Sequence, residues 1–111
     1  MDRFVKGDIV VLPFPFSDLS GTKRRPALVL ASLDGDDIIL CQITSQAKTD
    51  KYAITIETED FTSGKLSVDS VICPNKIFTA DESIVLYKAC KINNELIEKV
   101  IKTFKNILLE I

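Results

Sequence analysis

The segment Ala27-Leu28-Val29-Leu30-Ala31 is followed by Asp34-Gly35-Asp36 and then by Asp37-Ile38-Ile39-Leu40-Cys41-Gln42-Ile43-Thr44. Two runs of apolar and β-branched residues flank an Asp-Gly turn, which is the usual composition of an antiparallel β-hairpin. In the second run, apolar residues at 41 and 43 alternate with Gln42 and Thr44, and alternate residues of a strand point to opposite faces. The pattern therefore predicts a hairpin with Gln42 and Thr44 on one face.

The rest of the chain continues this β pattern as far as a C-terminal helix. Further short strands are expected at residues 9–12, 52–57, 68–73, 76–78 and 85–90. Prolines at 13 and 74 are expected to end or interrupt strands, because proline donates no hydrogen bond to a ladder. Residues 17–25 are expected to form a loop, and residues 60–65 a turn.

The last part of the chain has the features of an amphipathic helix. Asn93 is a favourable N-cap, and apolar residues three and four apart continue from there to about Leu109. The pattern indicates a mainly β protein in one domain over residues 1–111: a small, strongly bent antiparallel sheet or β-barrel closed by a C-terminal α-helix.

Composition restricts the kinds of partner that the chain can bind. The 111 residues are 46% hydrophobic, enough for one real core, and 14 basic against 16 acidic side chains leave a net charge of −2. Such a chain does not coat nucleic acid through bulk charge, so any binding must be local. Lys23-Arg24-Arg25 is locally basic, since no acid falls between Asp18 and Asp34.

The numbers of cysteines and histidines limit the disulfides, metal sites and general bases that the chain can have. Three widely spaced cysteines, Cys41, Cys73 and Cys90, are expected to be reduced and buried, as in a cytoplasmic protein. Histidine is absent, which removes the commonest general base and the commonest metal ligand. We expect no metal and no cofactor. No apolar run approaches transmembrane length, so no membrane association is expected either.

Arg25 and Thr44 are the candidate catalytic residues. Arg25 precedes a proline at the start of one strand and Thr44 ends the next, so a tight turn could bring a permanent cation and a hydroxyl together. That pair suits phosphate chemistry without a metal. Taken separately, each has a structural interpretation: Arg25 as an ordinary surface charge, and Thr44 as an ordinary strand residue.

Five segments, in order along most of the chain, resemble the PemK/MazF family of toxin endoribonucleases. They are Gly7-Asp8-Ile9-Val10, Pro13-Phe14-Pro15-Phe16-Ser17-Asp18, Arg24-Arg25-Pro26-Ala27-Leu28-Val29-Leu30, Gln42-Ile43-Thr44-Ser45 and Lys76-Ile77-Phe78-Thr79-Ala80-Asp81. The resemblance implies an SH3-like β-barrel of the PemK/MazF/CcdB type, a homodimer and a cognate antitoxin. It also implies metal-independent, sequence-selective cleavage of single-stranded RNA, in which the 2′-hydroxyl attacks the neighbouring phosphate.

The resemblance assigns roles to two residues. The family's arginine before the proline and the threonine of its Ile-Thr-Ser segment match Arg25 and Thr44, which would stabilise charge on the phosphate and orient it. The proton acceptor stays open, because some members have an arginine and an aspartate where this chain has Cys73 and Asn75; Asp18 or a bound water could substitute. The expected RNA contacts are Lys23, Arg24, Phe16, Gln42 and Ser45, although Phe16 is more often a packing residue in such a position.

Two other functions fit the same fold. A CcdB-type poison of DNA gyrase would share the barrel, but a tryptophan is expected near the end of such proteins and this chain has none. An inactive barrel that serves only as an interaction module is the second alternative, since Asn75 cannot act as a base.

Overall fold

The computed structural model describes residues 4–14, 23–45 and 51–110. Within them the chain forms seven β-strands and one α-helix. These are β1 (Asp8–Phe14), β2 (Lys23–Ser32), β3 (Asp37–Thr44), β4 (Ile54–Thr55), β5 (Phe61–Gly64), β6 (Val71–Asp81), β7 (Tyr87–Ile92) and α1 (Asn94–Leu109). Short 3-10 turns occupy Thr58–Asp60 and Glu82–Ile84.

The strands form one antiparallel sheet in the order β4-β6-β3-β2-β1-β7-β5, curled into a half-barrel. The predicted hairpin is its centre: β2 pairs with β3, with Ala27 opposite Gln42 and Leu28 opposite Cys41. Gly35 adopts φ +85° in the connecting turn, a conformation that glycine tolerates best. The mainly β fold with a C-terminal helix is thereby confirmed.

Both faces of the sheet are covered, each by its own hydrophobic cluster. The first cluster joins strand residues such as Leu28, Cys41 and Ile43 to the buried side of α1. The second contains Ala27 and Leu40, and extends to an edge-on contact between the Phe14 and Phe78 rings at 5.2 Å. Neighbouring residues along β2 and β3 thus belong to opposite clusters, which confirms the predicted alternation.

Strands β1 and β6 run through their prolines, contrary to the prediction. Pro13 pairs with Arg24 of β2, but β7 accompanies β1 only as far as Val11, so the missing N–H faces no partner strand there. Pro74 lies within β6 where its register with β3 shifts between residues 41 and 43, and such a bulge leaves residues unpaired in any case. Proline is compatible with both positions for these reasons.

Several element boundaries were also predicted wrongly. Residues 61–64 form β5 instead of a turn, because they pair with β7 at the sheet edge. Residues 23–25 belong to β2 rather than to a loop, since β1 pairs with them as far as Phe14 opposite Lys23. The strand expected at 52–57 is reduced to β4, and β6 and β7 begin three and two residues later than predicted. Tertiary pairing, more than local composition, sets these limits.

Candidate active site

Arg25 and Thr44 lie close to each other at the open end of the β2–β3 hairpin. The pairing of the two strands ends with Ala27 opposite Gln42, and Arg25 and Thr44 follow two residues beyond that pair. Both line the same depression. Both residues are half-buried, and on the far side of Thr44 lies Val71 of β6. The hairpin predicted from the sequence is what brings the cation and the hydroxyl together.

Arg25 and Thr44 line an open groove of about 580 Å³. In the sheet order, Val11 of β1 separates the start of β2 and the end of β3 on one side from the start of β7 on the other. The segment between β5 and β6 also borders the groove. The lining residues are Val11, Arg24, Arg25, Pro26, Ile43, Thr44, Ser45, Lys65, Leu66, Ser67, Val68, Ser70, Tyr87, Lys88 and Ala89. We call this depression the basic groove.

Charge in the basic groove has one sign. Its charged lining residues are Arg24, Arg25, Lys65 and Lys88, and no acidic side chain lines it within the described part of the chain. Since the whole chain has a net charge of −2, this positive potential is local, as the composition required. A polyanion is therefore attracted to this groove rather than to the protein as a whole.

A buried carboxylate accompanies one of these lysines. Asp8 is only 1% exposed, and its Oδ1 lies 3.7 Å from Lys88 Nζ and 3.6 Å from Lys91 Nζ. Its Oδ2 accepts a hydrogen bond of 2.9 Å from the Val5 N–H, whereas Oδ1 accepts none within the described residues. Two nearby ammonium groups compensate a buried charge that hydrogen bonds satisfy only in part.

The other expected RNA contacts fall into three groups. Arg24 and Ser45 line the basic groove beside Arg25 and Thr44. Gln42 and Lys23 do not line it; Gln42 shares the face of Thr44, as predicted, and Lys23 is exposed opposite Phe14. Phe16 and Asp18 lie outside the described residues, so their roles remain predictions.

The positions that some family members use for an arginine and an aspartate are both away from the basic groove. Cys73 is buried, and its carbonyl oxygen accepts a hydrogen bond of 2.9 Å from Cys41 Sγ. Asn75 is exposed on β6. Neither residue lines the groove.

The cysteines are free and buried, as predicted. Burial raises the pKa of the Cys41 thiol to about 12, with a smaller contribution from the nearby Cys73, and burial raises the pKa of Cys90 to about 11. Across residues 4–14, 23–45 and 51–110, no group of three or more His, Cys, Asp or Glu side chains is placed to hold a metal ion. In the same ranges no helix is long and apolar enough to cross a membrane.

Sequence reasoning missed the side of the groove that faces Arg25. Lys65, Val68, Tyr87 and Lys88 are separated from Arg25 by 40 residues or more and reach it only through the sheet order. The adjacent Tyr87 and Lys88, an aromatic and a basic residue at the start of a strand, were a weak signal. Without the β1–β7 pairing, nothing local indicates that they border the site.

A sequence profile described as "PemK-like, MazF-like toxin of type II toxin-antitoxin system" matches residues 5–108. The chain belongs to the PemK/MazF-like toxin family. A comparison with curated protein sequences finds no match for this family member.

Solved structures of similar fold include MazF toxins and an endoribonuclease. A MazE–MazF structure from Deinococcus radiodurans superposes with a TM-score of 0.79 at 21% identity and covers 100% of both chains. An endoribonuclease in complex with its cognate antitoxin from Mycobacterial species gives 0.74 at 12% identity, covering 98% of each chain. The Mycobacterium tuberculosis toxin MazF-mt6 gives 0.67 at 12% identity, covering 91% of this chain and 95% of that one. At such low identity, these likenesses establish the fold.

Proposed function

We propose that this toxin-family protein is an endoribonuclease that cleaves single-stranded RNA sequence-selectively and without a metal, and that a cognate antitoxin neutralises it. The observation that carries the proposal is the basic groove, where Arg25 and Thr44 meet among other cations. The family membership supports it, and so does the likeness in fold to an endoribonuclease from Mycobacterial species. We propose a cytoplasmic homodimer as its working form.

The proposed reaction uses the substrate's own nucleophile. The 2′-hydroxyl oxygen attacks the adjacent phosphorus, the bond from phosphorus to the 5′-oxygen breaks, and the products end in a 2′,3′-cyclic phosphate and a 5′-hydroxyl. Negative charge accumulates on the phosphoryl oxygens in the transition state, and a fixed guanidinium beside it lowers the barrier. Arg25 has this role in our proposal, and the Thr44 hydroxyl orients the same phosphate by a hydrogen bond.

Proton transfer is the part of the reaction that these two residues do not supply. A guanidinium remains protonated at any accessible pH, and a threonine hydroxyl is too weak an acid or base to exchange protons readily. We assign the acceptance of the 2′-hydroxyl proton to Asp18 or to a water held in the groove, and a solvent water supplies the proton that the departing 5′-oxygen takes up. An Asp18→Asn variant that cleaves RNA at the full rate would eliminate the first of these.

The groove also suggests how an antitoxin inhibits. Structural neighbours of the chain include MazE–MazF structures and an endoribonuclease with its cognate antitoxin. A partner segment with acidic side chains would match the cations of the basic groove and would compete with RNA for the same surface. We propose inhibition by occlusion of this groove.

The proposed function is tested by analysis of the RNA ends. Purified protein is incubated with mixed-sequence single-stranded RNA in the presence of a chelator, and the product termini are determined. Cyclic phosphate ends at a restricted set of sequences are expected. An otherwise identical strand with 2′-deoxyribose at the cut position should stay intact, because the attacking hydroxyl is missing. Products with 3′-hydroxyl ends, or cleavage of the deoxy strand, would contradict the mechanism.

A further inference from the structure

Tyr87 is an exposed aromatic residue in the basic groove. Its side chain is 53% exposed at the start of β7, directly opposite Val11 of β1. Residues opposite each other in a sheet share a face, and Val11 lines the groove. Val11 is also opposite Pro26 of β2, so the ring shares a face with Pro26 and, by alternation, with Arg24, and it borders the groove across β1 from them. Val68, also lining the groove, is 58% exposed.

The surroundings of this ring indicate the class of its ligand. Arg24 and Lys65 line the same groove, and no acidic residue does so within the described chain. Proteins bind single-stranded nucleic acids by this combination, with bases stacked on aromatic faces and backbone phosphates held by cations. The groove volume of about 580 Å³ lies in the usual range for small-ligand sites. An acidic peptide would satisfy the charges but would make no use of a flat, exposed ring.

We propose that Tyr87 is the stacking residue of a nucleotide subsite, which holds an unpaired base beside phosphates bound by Arg24 and Lys65, in the same groove that Arg25 and Thr44 line. The inference rests on the proposed function, since the ligand is a stretch of the same RNA. Tyr87 is a positioning residue: it fixes the base and takes no part in proton or phosphoryl transfer. A base that is paired in a duplex is unavailable for stacking on it, so the subsite favours single strands.

The sequence allows a direct optical test. The protein has two tyrosines and no tryptophan, so a Tyr52→Phe variant has Tyr87 as its single tyrosine fluorophore. Tyr52 lines a separate depression between β4 and α1, so its replacement leaves the basic groove intact. The ligand is a mixed-sequence single-stranded 2′-O-methyl RNA, which lacks the free 2′-hydroxyl and is not cleaved. Stacking should quench most of the Tyr87 emission in this variant. The reciprocal Tyr87→Phe variant, which retains Tyr52, should show little quenching.

Affinities measured by anisotropy of a labelled strand complete the test. Tyr87→Ala should weaken binding about tenfold, as expected for loss of one base–aromatic stack, whereas Tyr87→Phe should retain nearly full affinity because the ring is kept. Circular dichroism of each variant establishes that it is folded. Equal affinity of Tyr87→Ala and the parent protein would overturn the proposal, as would binding of the strand without quenching of Tyr87.

Two further outcomes separate this inference from the proposed function. If a glutamate-rich peptide quenches Tyr87 while the RNA does not, the subsite belongs to a protein partner and the nucleotide assignment is wrong. If the strand binds and quenches but unmodified RNA is never cut, the stacking subsite stands and the nuclease proposal fails. RNA cleavage that is unaffected by Tyr87→Ala, with unchanged affinity, removes the subsite and leaves the nuclease.

Discussion

Gly7 lies in close contact with the helix α1. Gly7 has φ +100°, and a Cβ built on it would lie 2.7 Å from Cδ1 of Ile97 in α1. Its N–H donates to the Val29 carbonyl and its carbonyl accepts from the Ile92 N–H, so the backbone there cannot shift freely. Gly7 is thus hydrogen-bonded to β2 and to β7 and also packs against α1.

Gly7→Ala is expected to lower the free energy of unfolding by about 2 kcal/mol or more, because it adds backbone strain and displaces the buried Ile97 side chain. Gly35→Ala is the matched control: Gly35 also has positive φ, at +85°, but a Cβ there would meet nothing within 4 Å. Gly35→Ala should therefore lower the free energy of unfolding by less, about 1 kcal/mol. Urea unfolding measures both values, and equal losses would show that the contact with Ile97 is unimportant.

The buried thiols predict a loss of stability at alkaline pH. In the folded protein the pKa of Cys41 is raised to about 12 and that of Cys90 to about 11, from an ordinary value of 9.0. Above about pH 9 the unfolded chain releases these protons while the folded chain retains them. The free energy of unfolding should then fall by up to about 1.4 kcal/mol per pH unit for each thiol.

Urea unfolding of the parent protein and of Cys41→Ala, each between about pH 9 and about pH 11, tests this linkage. Tyrosine and lysine titrations are common to both proteins and cancel in the comparison. The variant should be less stable at neutral pH and should lose stability less steeply as the pH rises. Parallel pH profiles would mean that Cys41 titrates normally in the folded state.

At the scale of elements, the helix was the most predictable part of the chain. Asn93 caps α1 as expected, its Oδ1 accepting a hydrogen bond of 2.8 Å from the Leu96 N–H. Leu96, Ile97 and Val100 form the buried part of its apolar stripe. A cap and a 3.6-residue period are local signals, and the tertiary structure agrees with both.

Asn93→Ala should lower the free energy of unfolding by about 1 kcal/mol, since an orphan N–H at the helix start loses its acceptor. Asn106→Ala serves as the control, because Asn106 is exposed within α1 and alanine has the higher helix propensity there. That variant should be as stable as the parent protein or slightly more so. Chemical denaturation of both gives the comparison, and a loss for Asn106→Ala equal to that for Asn93→Ala would contradict a capping role.

The strands were predictable only where their pattern was local. The β2–β3 hairpin has an Asp-Gly turn and alternating residues, and the sequence therefore predicted both the hairpin and the proximity of Arg25 to Thr44. Strand β5 contains Thr, Ser and Gly and exists because β7 pairs with it, and Pro13 and Pro74 are tolerated because of how the strands beside them end or shift. The facing side of the basic groove, with Lys65 and Tyr87, follows from the same long-range pairing.

At the scale of the whole molecule, the charge distribution determines how RNA binding responds to salt. Four cations line the basic groove of a chain with net charge −2, so the salt dependence of binding should come from those cations. Three or four phosphates neutralised on a single strand give a slope of log association constant against log salt of about −2 to −3. Arg24→Ala should reduce its magnitude by about 0.7.

Lys105→Ala is the matched control for that salt series. Lys105 is exposed on α1 and does not line the groove. Its removal changes the net charge by the same amount and should leave the slope unchanged. Equal effects of Arg24→Ala and Lys105→Ala would mean that bulk charge, rather than the basic groove, attracts the RNA.

The most direct measurement is the rate at which single-stranded RNA is cut, in chelator, by the parent protein and by Arg25→Ala. Lys102→Ala is the charge-matched control, because Lys102 is an exposed lysine of α1 that does not line the groove. With Arg25 stabilising the transition-state phosphate, its loss should slow cleavage at least about a hundredfold, while the Lys102 variant cuts at the parental rate. Cleavage by a folded Arg25→Ala protein at the parental rate would rule out this role of Arg25.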